Sequence, residues 1–114
     1  MSECLFCAIA AGDIPADEVY RDENIVAFRD IAPQAPVHVL VIPKSHHANA
    51  ADAVSADPAL LSDLLRVATA VAQTEGVADG GYRIVTNTGE AAGQSVPHLH
   101  FHVLGGRSLA WPPG

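Results

Sequence analysis

The chain is poor in cations: Lys and Arg together number 6 against 13 Asp and Glu, giving a formal net charge of −7. No segment concentrates them, so the electrostatic footprint that holds a protein on nucleic-acid phosphates or anionic lipid is missing. Neither a nucleic-acid polymer nor a membrane is an expected partner, and any anionic ligand must be held by local donors. Long apolar runs are lacking too. "LFCAIAA" at 5–11 is interrupted by Gly12 and Asp13 and has no basic segment before it, which excludes a signal peptide, and no other stretch is long enough to span a bilayer. A cytoplasmic protein is expected.

Cysteine is scarce, with only Cys4 and Cys7, spaced C-x-x-C. That spacing admits a redox pair, half of a zinc site or two buried thiols. The redox reading needs a strand before the motif and a helix after it, and only three residues precede Cys4. A half zinc site needs two further ligands. Charged residues are few as well, 17% against 49% hydrophobic, which excludes disorder. A chain of 114 residues fits one domain, 1–114, and one active site.

What is present is patterned. "EVYR" at 18–21 and "IVAFRD" at 25–30 read as two strands joined by the turn residues Asp22, Glu23 and Asn24, with Pro33 and Pro36 closing the hairpin. "VHVLVIPK" at 37–44 is a β-branched central strand, with His38, Leu40 and Ile42 on one face and Val37, Val39 and Val41 on the other. One clear helix follows in 55–76. Asp57 is its expected cap, Pro58 its first residue and Gly76 its left-handed stop. Leu60, Leu64, Val67 and Val71 form its apolar stripe, and Ser62, Arg66, Thr69 and Gln73 its wet face. Strands at 81–87 and 97–104 complete an α+β reading: an antiparallel sheet with one long helix on a face.

The last of these strands carries His98, His100 and His102 at alternate positions, with Leu99, Phe101 and Val103 between them. In a strand the imidazoles line one face about 6.6–7 Å apart while the apolar residues anchor the other. A chance polar face is the bland reading of a single histidine; three in alternation call for more. A three-histidine metal site is a rival chemistry, but residues at i, i+2 and i+4 splay along a line and converge poorly on one ion. Nucleophilic catalysis fits better. A neutral imidazole attacks phosphorus well, provided that its other nitrogen donates to an acceptor such as a backbone carbonyl. His100, in the middle, is the best sheltered.

The preceding loop, "NTGEAAGQS", supports phosphate chemistry. Asn87, Gln94 and Ser95 are neutral donors, and Gly89 and Gly93 let backbone N–H groups turn toward an anion. It is no P-loop, since the lysine and its spacing are absent.

These segments together resemble a family. "HLHFHVLGGR" at 98–107 is similar to the alternating signature of the histidine triad superfamily, and "LGGRSLAWPPG" at 104–114 to its Hint branch, the nucleoside phosphoramidases. "IPA" at 14–16, "AFRDIAPQAPVHVLVIPK" at 27–44 and "NTGEAAGQSVPH" at 87–98 match in the same order, so the resemblance spans nearly the whole chain.

The resemblance implies a five-stranded antiparallel sheet, joined edge to edge with that of a second copy in a homodimer. It also implies hydrolysis of the P–N bond of purine nucleoside 5′-phosphoramidates and aminoacyl-adenylate-like compounds through a nucleotidyl-histidine intermediate. His100 takes the nucleophile's position. His102 and Ser95 match positions at the phosphate and leaving group, with Asn87, Gly93 and Gln94 beside them. Asp30 matches the ribose-holding acid, and Phe6, Ile9, Ile14, Phe28 and Ile31 the base pocket. The tail 105–114 is implied to reach the partner's site through Trp111. No cofactor is implied for catalysis. A structural zinc is, on Cys4, Cys7, His46 and His98, with His47 adjacent to His46 as the other choice. Cleavage of dinucleoside polyphosphates, or a nucleotide-binding regulatory role with weak turnover, are the other functions open to such a chain.

Overall fold

A computed structural model describes residues 4–114. The elements are α1 (Leu5–Ala11), β1 (Glu18–Arg21), β2 (Ile25–Arg29), β3 (Val37–Pro43), α2 (Ala50–Ala56), α3 (Pro58–Thr74), β4 (Tyr82–Val85) and β5 (Phe101–Gly105). The strands form one antiparallel sheet in the order β1-β2-β3-β5-β4, with β3 at its centre as its composition requires. The β1–β2 turn closes on Asp22, whose Oδ1 accepts from the backbone N–H groups of Asn24 and Ile25, both at 2.8 Å.

Side-chain alternation divides the sheet between two cores. Ile25, Ala27, Val39, Val41, Phe101 and Val103 meet the buried stripe of α3, Leu60, Leu64, Val67, Ala68, Val71 and Ala72. Val26, Phe28, Leu40 and Ile42 point the other way and pack with Phe6, Ile9 and Ala10 of α1. The expected faces of β3 and α3 are those observed, and Ser62, Arg66, Thr69 and Gln73 are exposed. Each large aliphatic side chain buried in this way contributes about 1.5–3 kcal/mol relative to exposure.

Several expectations need correction. Among the described residues two short α-helices, α1 and α2, accompany the one long helix expected, α3. Asp57 makes no side-chain cap for α3; its own backbone N–H closes α2 on the Ala53 carbonyl at 2.7 Å. With φ −157° and ψ 77° it joins two helices and lies outside the extended conformation that a capping residue usually takes. Pro58 does start α3, and Gly76 (φ +80°) follows its last turn. The last strand is shorter than the alternation suggests. It starts at Phe101, so His98 and His100 lie before the ladder, and Asp30 lies just beyond the end of β2. Gly105 ends β5 where no side chain fits: a Cβ there would stand 2.8 Å from the Cβ of Val77.

Candidate functional site

Although residues 97–100 lie outside the ladder, they keep the alternation because other groups hold them. The Leu99 N–H donates to the His47 carbonyl at 2.7 Å, and the Thr86 hydroxyl donates to the His100 carbonyl at 2.8 Å. Leu99 is thereby fixed in the α3 core, and the three histidines face the α1 side. Phe6 of α1 stands edge-on to two of them, with ring centroids 5.9 Å from His98 and 5.0 Å from His100, and the His100 and His102 rings are also 5.0 Å apart.

The ring protons follow from the partners. His100 Nδ1 lies 2.7 Å from the His98 carbonyl, which only accepts, so Nδ1 carries the hydrogen and Nε2 keeps its lone pair. A second chain runs across the sheet. Gln34 donates its backbone N–H to His38 Nδ1 at 3.0 Å, so the neutral His38 ring carries its proton on Nε2, and that Nε2 donates to His102 Nδ1 at 2.9 Å. Neutral His102 is therefore left with an N–H at Nε2. Burial holds both rings neutral. It lowers His38 against the opposing charge of Asp30, and it pushes His102 down to about 4 with help from His100 and His38. Asp30 completes the chain, with Oδ2 3.5 Å from His38 Nε2 and Oδ1 accepting from the Ala32 N–H at 2.9 Å. Asp30, His38 and His102 bring ligand atoms within 4.8 Å of one another. Because the Gln34 N–H occupies Nδ1 of His38, the grouping shares a proton and is not laid out for a cation.

His38 is the functional residue that sequence reasoning missed. Its partner lies 64 positions away, and the one signal was a histidine set among β-branched residues on the face that also bears Leu40.

His100 and His102 open on a cavity of about 690 Å³. Phe6, Ile9, Ile14, Phe28, Asp30, Ile31 and Ser95 line it as well, joined by Leu5, Pro15, Ala16, Asp17, Arg29, Leu40 and Val96, which the sequence did not single out. The cavity is apolar on the α1 side and polar at the histidine end, the usual make-up of a small-molecule site. Asn87, Gly93, Gln94 and Trp111 are not among the lining residues, and Trp111 is 83% exposed. Its tail is held through the backbone: Arg83 donates to the Ala110 carbonyl at 2.9 Å, and Arg107 to that of Gln34 at 3.0 and 3.1 Å.

On the other side of Phe6, Cys4, Cys7, His46 and His98 place their ligand atoms within 4.8 Å of one another. Cys4 Sγ to His98 Nδ1 and Cys7 Sγ to His46 Nδ1 are each 3.3 Å, and Cys7 Sγ to His98 Nδ1 is 3.5 Å. Tetrahedral zinc, with bonds of about 2.3 Å to sulfur and 2.0–2.1 Å to nitrogen, needs donor separations of about 3.3–3.8 Å. His98 Nε2 donates to the buried Pro43 carbonyl at 2.9 Å, which turns Nδ1 toward the thiols in the manner of an oriented metal ligand. Burial and the neighbouring Cys4 thiol raise Cys7, an unfavourable setting for two thiolates that a dication reverses. The donor set fits zinc, and it is His46, not His47, that faces the sulfurs.

Three consecutive residues tie these parts together. His46 reaches Cys7 with its ring, His47 gives its carbonyl to Leu99, and Ala48 gives its carbonyl to Gln94 Nε2 at 2.6 Å.

Comparison with known proteins agrees with this geometry. A family model described as HIT domain matches residues 11–109. The crystal structure of a HIT family hydrolase from Legionella pneumophila Philadelphia 1 superimposes with a TM-score of 0.95 at 53% identity, covering 98% of this chain and 100% of that one. A 14 kDa zinc-binding protein of Zea mays is 48% identical over 99% of this chain and 89% of its own length. The purine nucleoside phosphoramidase of Escherichia coli K12 is 43% identical over 94% of this chain and 90% of its own.

Proposed function

The chain belongs to the HIT-domain family, and we propose on that footing that it hydrolyses the P–N bond of purine nucleoside 5′-phosphoramidates and the corresponding P–O bond of aminoacyl-adenylate-like compounds. The observation that carries this reading is the orientation of His100, whose Nδ1–H is committed to the His98 carbonyl at 2.7 Å, which leaves the Nε2 lone pair for attack. The apolar wall of Phe6, Ile9, Ile14, Phe28 and Ile31 takes the base, and the lone pairs left on Asp30 take the ribose hydroxyls.

His100 Nε2 attacks phosphorus, a P–N bond to the ring forms, and the P–N bond to the amine breaks. The amine leaves with a proton delivered through His102 or Ser95; from an acyl adenylate the P–O bond breaks instead and a carboxylate leaves, which needs no proton. Water then attacks the nucleotidyl-histidine and releases a nucleoside monophosphate and the free ring. His102 Nε2–H, oriented by His38, stabilises charge on the phosphoryl oxygens; loss of one such donor commonly costs about 10²–10³ in rate.

Cys4, Cys7, His46 and His98 would hold a structural zinc, which supplies cross-linking of α1 to the histidine run and no step of the reaction. Two copies would pair through their sheet edges, with the tail 105–114 bringing Trp111 to the partner's cavity. The deciding experiment compares adenosine phosphoramidates with diadenosine polyphosphates. Phosphoramidate turnover with an adduct on His100 supports the reading. Preference for the polyphosphates points to the other hydrolase, and binding of nucleoside monophosphate without turnover points to a regulatory binder.

A further inference from the structure

Gln94 sits in the loop before the histidine run, where a side-chain amide looks like a donor for phosphate. Its hydrogen bonds are committed elsewhere. Oε1 accepts from the Gly89 N–H at 2.9 Å, and Nε2 donates to two carbonyls, Ala48 at 2.6 Å and Val96 at 3.0 Å. Its backbone N–H is also taken, by the Gly89 carbonyl at 3.1 Å. A primary amide has two N–H donors, and both are spent. Nor is the amide free to turn over, since that would set its oxygen against two carbonyls and its NH₂ against an N–H. The unused capacity is a lone pair on Oε1, which repels a phosphate oxygen.

The same bonds do something specific to Ser95. The amide joins Gly89 on one side of the loop to Val96 on the other and anchors both to Ala48. Ser95 stands between Gln94 and Val96 on the cavity wall. Ala48 follows His47, whose carbonyl fixes Leu99, so the loop and the histidine run are measured from one short segment. We propose that Gln94 is a positioning residue: it holds the Ser95 hydroxyl in register with His100 and makes no contact with the phosphate. This rests on the phosphoramidase reading for its kinetic consequence, although the hydrogen bonds themselves do not depend on it. A displacement of about 1 Å at a reacting group is worth about 10²-fold in rate, which sets the scale of the effect.

The test is a double-mutant cycle with Gln94→Ala and Ser95→Ala, beside the isosteric Gln94→Glu, which turns a carboxylate toward two carbonyls. The expected result is a fall in kcat of about 10–10²-fold for either Gln94 variant with KM nearly unchanged, and little further loss when Gln94→Ala is added to Ser95→Ala. Amide hydrogen exchange at Gly89 should speed up in Gln94→Ala, which removes its acceptor. Equal losses in the two backgrounds, or a raised KM at constant kcat, would mean that the amide binds substrate directly and would overturn the proposal. A measurement on the unaltered protein guards against misfolded variants: the side-chain NH₂ resonances of Gln94 should stay in place when adenosine monophosphate is added. A large downfield shift there refutes the assignment. If the protein turns over no phosphoramidate, the functional reading fails, while the exchange rates and NH₂ resonances still decide the role of Gln94.

Discussion

Under α3 the sheet meets Leu64, Val67, Ala68 and Ala72, which are fully buried, and the contact is almost wholly apolar. On the opposite face stands α1, only 7 residues long, beside a cavity of about 690 Å³, three histidines and two thiols. The first face is held by area removed from water, which is non-directional and tolerant of small shifts. The second is held by directed bonds: a carbonyl on each ring of His98 and His100, Gln34 and His38 behind His102, and a four-donor cluster at the start of α1. The difference teaches that stability and reactivity are drawn from opposite sides of the same five strands. They should therefore respond to different substitutions.

The sharpest way to break that comparison is His100→Asn. Phosphoramidate turnover should fall by about 10⁴-fold or more, while the melting temperature and nucleoside monophosphate affinity stay close to those of the unaltered protein. Retained turnover would remove the nucleophile from its role. Leu64→Ala is the converse, expected to cost about 2–5 kcal/mol in denaturant unfolding and to leave kcat/KM unchanged at a temperature where the variant is folded. A large kinetic effect would show that the two faces are not separable.

Metal content tests the anchor of α1. One zinc per chain is expected by elemental analysis, and with free zinc about 100-fold above its Kd the linked stabilisation is about 2.7 kcal/mol, lost on chelation. A stably folded, metal-free protein whose melting is indifferent to zinc would defeat it. His38→Asn should lower kcat by about 10–10²-fold with a smaller effect on stability, because His102 loses the partner that fixes its donor nitrogen.

The smallest effect is on pH. Unfolded His38 and His102 take up protons near the ordinary histidine value of 6.5, whereas the folded rings resist, His102 down to about 4. The unfolded state thus binds more protons below about 6.5, and stability should be full above that pH and decline from there toward about 4. Thermal melts between pH 7 and 5 should show the decline, with a shallower slope in His102→Asn; a rise in stability over that range would contradict the assignment.

Much of this was legible in the sequence. The faces of β2 and β3 follow strict alternation, α3 follows helical spacing, and the histidine run keeps its period even where no ladder supports it. What stayed hidden depends on distant or cramped partners. α2 is alanine-rich and buries only Ala53, so it has no amphipathic stripe, and its cap is the Asn49 side chain on the Asp52 N–H at 2.9 Å. His38 acts through a ring far along the chain. Gln94 reads as a phosphate donor by type, and only its three partners reveal that its donors are used up.

Residues 46–48 carry a final lesson about permissible change. Two of their three attachments are made by main-chain oxygens, so the side chains at 47 and 48 are free to vary while the number of residues between β3 and α2 is not. Insertion or loss of one residue there would detune the thiol cluster, the histidine run and the loop at Ser95 in a single event. Engineers of this scaffold should diversify identity at those positions and leave their spacing alone.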